Sequence, residues 1–175
     1  NSCGNTSTQN IVVNAAPNVN VDAIAPVCIN ASPFVLSGAA PGGGTWTGLG
    51  VSGSDFNPAI AGAGTHSLTY SFTNASSCSA SVSIHIIVNS PPVVTLSSLS
   101  STCLNSTPYT LSGGSPVGGT YSGPGVSGTT FNPATAGLGT HTISYSYSSA
   151  AGCAGTATSS IQVVSQPVVN LSALP

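Results

Sequence analysis

The chain has no lysine, no arginine and no methionine, and Asp22 and Asp55 are its only acids, so charged residues make up 1% of 175 positions. An ordinary soluble domain carries about 25%. Cationic side chains supply most of the affinity for nucleic acid and for anionic membrane surfaces, and their absence excludes both as partners. Calcium-stiffened repeats need several carboxylates per ion, more than this chain can supply, and no cofactor or metal is expected. No apolar run approaches the ~18–20 residues of a membrane span, which argues against direct membrane insertion of this segment. The lack of charge does not predict disorder, because 40% of the residues are hydrophobic and they alternate with Ser and Thr.

What is present occurs twice. Cys28, Asn30, Pro33, Leu36, Gly43-Gly44-Thr45, Phe56-Asn57-Pro58 and Gly64-Thr65-His66 recur at Cys103, Asn105, Pro108, Leu111, Gly118-Gly119-Thr120, Phe131-Asn132-Pro133 and Gly139-Thr140-His141. Of the 75 positions beginning at Asn14, 33 are identical to those beginning at Asn89. A fixed period of this size marks an array of small domains. Residues 14–88 and 89–163 read as two complete repeats, 1–13 as the last strand of a preceding repeat, and 164–175 as the first strand of a following one. The links at 13–17, 88–92 and 164–167 each contain Pro and no Gly. Short, Pro-bearing links predict repeats stacked end to end with little swivel, which makes neighbouring repeats of the same chain the first expected partners.

Within a repeat the dominant period is two. From Thr65 to Thr73 the even positions His66, Leu68, Tyr70 and Phe72 are bulky and the odd ones are hydroxylated, which predicts a half-buried strand. A turn at 74–77 leads into a second long strand from Cys78 to Val88, with Ala80, Val82, Ile84, Ile86 and Val88 on one parity. Shorter strands are expected at 19–24, 33–37 and 45–47, between Gly and Pro clusters. No segment offers a ten-residue helix. The expected fold is all-β, a tandem array of compact immunoglobulin-like β-sandwiches, each one period of the sequence in length.

The five cysteines fit the same period. Cys28 with Cys78 and Cys103 with Cys153 are separated by the same interval, which predicts one disulfide within each repeat, and Cys3 is left without a mate. Regular cysteine pairs in small Gly- and Ser-rich units point to an oxidising, extracytoplasmic compartment. The other reading, two buried thiols per repeat, stays open, since unpaired Cys is often buried.

Several constellations resemble chemical motifs. Gly48, Gly50 and Gly53, like Gly123, Gly125 and Gly128, fit G-x-G-x-x-G, but no acid follows Asp55 and no helix is predicted after them, so they read as turn glycines. A Ser/His/Asp triad would exist in only one copy, because Asp55 is replaced by Thr130 and Asp22 by Ser97, and the nucleophile elbow is missing. His66 and His141 read as structural residues bonded to a loop carbonyl, and His85 as exposed. No enzymatic activity is expected. Trp46, aligned with Tyr121, has two readings: a core aromatic, or an exposed platform contacting a sugar ring. Hydroxyl-lined strands also suit lateral self-association or surface glycan.

The run from Cys103 through Leu111-Ser-Gly and Gly118-Gly-Thr-Tyr to Gly128, followed by Phe131-Asn-Pro-Ala, Gly139-Thr-His-Thr-Ile-Ser-Tyr and Gly152-Cys153, resembles the immunoglobulin-like repeats of giant secreted surface adhesins of Bacteroidota, including gliding-motility-associated ones. The resemblance covers nearly the whole chain. It implies an extracellular or cell-surface location and a structural, non-enzymatic role as a stalk or filament segment. The alternative drawn from the residues is a carbohydrate- or surface-binding module using the hydroxyl faces with Trp46 and Tyr121.

Overall fold

The alternation of bulky and hydroxylated residues yields the longest strands of the computed structural model, which describes residues 3–167. The chain divides into two compact units, Asn1–Val88 and Asn89–Pro175. In the first unit the elements are β1 (Asn20–Val21), β2 (Val27–Cys28), β3 (Phe34–Val35), β4 (Ala39–Ala40), β5 (Thr45–Thr47), β6 (Val51–Ser52), β7 (Asp55–Phe56), a single helical turn α1 (Pro58–Ala61), β8 (Gly64–Thr73) and β9 (Ser79–Asn89). The second unit repeats them one period later: β10 (Thr95–Leu96), β11 (Thr102–Cys103), β12 (Tyr109–Thr110), β13 (Gly114–Ser115), β14 (Thr120–Ser122), β15 (Val126–Ser127), β16 (Thr130–Phe131), α2 (Pro133–Ala136), β17 (Gly139–Ser148) and β18 (Ala154–Val164).

The fold is all-β. One sheet of each unit has the order β2-β9-β8-β5 or β11-β18-β17-β14, with the long hairpin at its centre. The other strands pair as β3-β7-β6 with β1-β4, and as β12-β16-β15 with β10-β13. Gly38, at φ 78°, separates β3 from β4 as a bend in one strand, a conformation that costs a glycine little. Counted that way, and with β1 and the short β2 taken as two pieces of a first strand, the first, second, fifth and fourth strands of a unit form one layer and the third, sixth and seventh the other, which is the strand plan of an immunoglobulin-like sandwich. The short β11 joins the second layer by running parallel to the end of β18, with Thr102 opposite Val163 and Cys103 opposite Val164.

The inward parity of the hairpin supplies the core. Leu68, Tyr70, Ile86 and Val88 are buried with Leu36, Trp46 and Phe56 in the first unit, and Ile143, Ile161 and Val163 with Leu111 and Phe131 in the second. Phe56 is fully buried and meets the ring of Phe34 edge-on at 5.7 Å. The opposite parity faces solvent, where hydroxyls bond across the hairpin, as between Thr69 and Ser83 and between Thr73 and Ser79, each at 2.8 Å.

Three expectations need correction. Residues 3–13 are not in a strand: a strand needs a neighbour to satisfy its amide and carbonyl groups, and no described strand lies beside them. At the other end Val164 closes β18, residues 165–167 form no strand, and the rest of 164–175 lies outside the described residues. The strands expected at 19–24 and 33–37 shrink to two residues each, Asn20–Val21 and Phe34–Val35, because each finds a strand partner over only two positions.

Candidate functional site

The most sharply repeated sequence blocks prove to be parts of two hydrogen-bonded clamps. In the first, Phe56 anchors the chain in the core and Asn57 caps the helical turn, its Oδ1 accepting from the amides of Ala59 at 3.0 Å and Ile60 at 3.4 Å. Pro58 takes the first helical position, where its missing N–H costs nothing. The turn ends at Gly62, whose amide donates to the Pro58 carbonyl. His66 then donates from Nε2 to the Gly62 carbonyl at 2.8 Å, and the second unit repeats the arrangement with His141 and Gly137 at 2.9 Å. A carbonyl only accepts, so the bond fixes the proton on Nε2.

In the second clamp the Tyr70 hydroxyl accepts from the Gly44 amide and donates to the Pro41 carbonyl, both at 2.7 Å. Tyr145 does the same with Gly119 at 2.7 Å and Pro116 at 2.6 Å. Gly44 has to be glycine here, because a Cβ would collide with the Tyr70 ring and the Ser71 carbonyl. The Gly-Gly-Thr block thus exists to let a loop close onto a tyrosine. Sequence reasoning assigned Tyr70 only to the buried parity, and a hydroxyl on that parity was the available signal, since a buried tyrosine O–H needs a partner.

None of these groups forms a reaction centre. Asp22 and Asp55 are both exposed, on the β1 and β7 sides of the sandwich, whereas His66 is committed to its own loop. Among the described residues no three of His, Cys, Asp and Glu come together as a metal site. His85 is exposed, as its parity requires. The glycines of both G-x-G-x-x-G runs sit at positive φ in turns; Gly50, at 83°, also packs so tightly that a Cβ would lie 2.8 Å from Ala61.

The aromatic platform requires correction. Trp46 is 8% exposed, lies in the core cluster and stacks at a tilt on Tyr70 with ring centroids 5.1 Å apart. Its flanks Thr45 and Thr47 are short, but β5 turns the indole inward against β8. Tyr121 is half-buried against Tyr145, and its hydroxyl accepts from the Gly114 amide at 3.0 Å. Neither ring is presented to a ligand. A cleft of about 470 Å³ in the second unit is lined by Ser97, Ser100, Thr102, Tyr109 and Ser112 among others, while its smaller counterpart in the first unit is lined by Ala23, Ile24, Phe34 and Leu36.

The cysteines require the largest correction. Cys28 and Cys153 are disulfide-bonded, whereas Cys3, Cys78 and Cys103 are free. A bond between Cys103 and Cys153 is excluded by the register. Cys103 lies opposite Val164 at the end of β18, and Cys153 immediately precedes its first residue. Eleven residues of extended chain separate the two positions by roughly 35 Å, where a disulfide tolerates a Cα separation of at most about 7 Å. In the first unit Cys28 lies on β2 and Cys78 just ahead of β9, and Cys78 is free, which excludes Cys28 with Cys78. The presence of a disulfide fits an oxidising, non-cytoplasmic environment. No described helix is long and apolar enough to cross a membrane. No protein-family model and no curated protein matches the chain.

Proposed function

We propose that the chain is a structural, non-enzymatic spacer: a stalk or filament segment of an extracellular, cell-surface adhesin of the kind its repeats resemble. The observation that carries this reading is where each unit takes in the chain and lets it out. Asn14 enters the first unit beside the tip of the β8–β9 hairpin, its carbonyl 3.7 Å from the Cys78 Sγ, and Ala15 accepts from Asn74 Nδ2 at 3.1 Å. The chain leaves at the far end of β9. Entry and exit are thus the full length of a long strand apart, roughly 35 Å, so every repeat adds length to a tether. Hydroxyl faces and near-zero charge suit a surface with no ligand of its own.

The sugar-binding alternative loses its platform with the burial of Trp46, and its remaining hydroxyl-lined cleft is not reproduced between the two units. Glycan-array binding by this chain, abolished by substitutions in that cleft, would restore it. The spacer reading is tested by small-angle scattering on proteins carrying two, four and six repeats. The maximum dimension should grow nearly linearly, by about 30–35 Å per repeat. Growth as the square root of repeat number, the behaviour of freely jointed beads, would overturn it.

A further inference from the structure

The cleft of the second unit opens where the chain leaves one layer for the other. β10 pairs with β13, Thr95 opposite Ser115 and Leu96 opposite Gly114, and the Ser97 amide adds one more bond to the Gly113 carbonyl at 3.1 Å. The chain then crosses over, and Thr102 and Cys103 pair with β18 instead. β12 is left with β16 as its one partner among the described strands, so its other edge is bare. The register decides what that edge presents. The Leu111 amide donates to the Thr129 carbonyl at 2.7 Å and Tyr109 lies opposite Phe131, so the residue between them, Thr110, turns its N–H and C=O away from β16 and toward the gap. The gap measures about 470 Å³, within the ~300–1,000 Å³ of small-ligand sites.

The first unit has the same gap at about 280 Å³, with a lining that is apolar apart from Asp22 and Ser37. The differences between the two run one way. Phe34 becomes Tyr109, Val35 becomes Thr110, Val27 becomes Thr102 and Ala25 becomes Ser100, one period on. Apart from Leu99 in place of Ile24, every lining position of the second unit that differs from the first gains a hydroxyl, and Ser97 removes the one charge, Asp22. Valine and threonine have the same shape, so those changes do nothing for packing and serve only to present an oxygen. Among the described residues the Ser97 Oγ alone of these lining hydroxyls has a partner in the protein, the Gly113 carbonyl at 3.4 Å. Tyr70, Tyr121 and Tyr145 each commit their hydroxyl to a loop amide, whereas Tyr109, with its ring centroid 5.8 Å from that of Phe131 and 36% of its surface exposed, commits its own to none of them.

We propose that this cleft is a binding site for a neutral sugar. A charged ligand finds no counter-ion, because no charged side chain lines the cleft. An apolar ligand would cover the hydroxyls and the Thr110 backbone without pairing them. A sugar hydroxyl both donates and accepts, as those of the cleft do, and its C–H face suits the exposed part of the Tyr109 ring. The inference keeps the chemistry of the sugar-binding alternative but moves it from an aromatic platform to a cleft of one unit. It goes beyond the spacer reading, which belongs to every repeat, and neither depends on the other: scattering reads the length of the rod and binding reads the cleft.

The test is an amide-shift titration of the isotope-labelled full chain with the methyl glycosides of glucose, galactose, mannose and xylose. N-acetylneuraminic acid serves as a charged sugar and sorbitol as an open-chain polyol. The expected result is a set of saturable shifts with at least one neutral glycoside, confined to residues 97–113 and absent from 22–38, with little response to the two controls. Thr102→Val combined with Thr110→Val installs the residues that the first unit carries in the same fold, and the spectrum of the variant itself reports its folding. It should weaken binding by about tenfold or more. Tyr109→Phe, again the first unit's residue, is an independent second variant and should weaken binding as well. No saturable shift with any neutral glycoside, equal shifts in the two units, an equal response to sorbitol or to the charged sugar, or an affinity unchanged in the folded variants would overturn the proposal.

Discussion

At the scale of the residue, Tyr70 and Tyr145 each hold a loop with one oxygen that both accepts and donates. Tyr70→Phe keeps the ring in the core but strands the Gly44 amide and the Pro41 carbonyl. It is expected to cost about 1–3 kcal/mol, read as a fall in urea midpoint with unchanged slope. Tyr109 offers a different handle, since burial raises its phenol above the ordinary value of 10.0 and the first unit has Phe34 at that place. A pKa raised by folding means that the neutral form is favoured in the native state. The contribution of Tyr109 is thus present below pH 10 and is lost as pH rises through its folded value. Tyr109→Phe removes that loss, so the stability difference between variant and parent should move in favour of the variant from pH 8 to pH 11. Urea midpoints that shift in parallel for the two proteins would contradict it.

At the scale of the element, the long hairpin was legible because period two is a local property: alternation from Thr65 to Thr73 and from Cys78 to Val88 names the strands, their faces and the core residues Leu68, Tyr70, Ile86 and Val88. His66 on a loop carbonyl followed from the same parity. The helical turn at Pro58–Ala61 went unread although Asn57 before Pro58 is a strong start signal, because a single turn has no apolar period of its own. The pairing of cysteines was illegible for a deeper reason. Equal spacing within each repeat does not say at which end of a strand each cysteine stands, and only the register of β11 on β18 shows that Cys103 and Cys153 are a strand length apart. Trp46 was left between two readings because a three-residue strand has too few positions to reveal which face is covered. The hairpin itself makes a contrast that can be measured. Ile86→Ala, at a position with 0% exposure, should cost about 2–5 kcal/mol by loss of apolar burial and the cavity left behind. Ser81→Ala on the exposed parity should stay within about 0.5 kcal/mol of the parent.

At the scale of the whole molecule, what the chain lacks governs how it meets copies of itself. A net charge of −2 over 175 residues gives almost no repulsion between molecules, so solubility rests on Ser, Thr and Asn faces. Strand edges are the exposed liability. In the second unit β18 pairs with β17 along its length but with β11 only at Val163 and Val164, so from Ala154 to Gln162 its other edge has no strand partner among the described residues. Natural sheets guard such edges with lysine, and this chain has none. Two outcomes follow from that exposure: molecules meet side by side through many weak hydrogen bonds, or O-linked sugars on the hydroxyl faces keep them apart. Bonds of this kind involve no net charge, so association should be nearly insensitive to salt, unlike an ion-paired interface. Intact mass measured on protein from its native source reports the sugars, and sedimentation at rising concentration in low and in high salt reports the association. The expected result is either added hexose mass, or a sedimentation coefficient that climbs with concentration equally in both salts. Unmodified protein that stays strictly monomeric at high concentration in both would show that short strands and polar faces alone are sufficient to guard an uncharged edge.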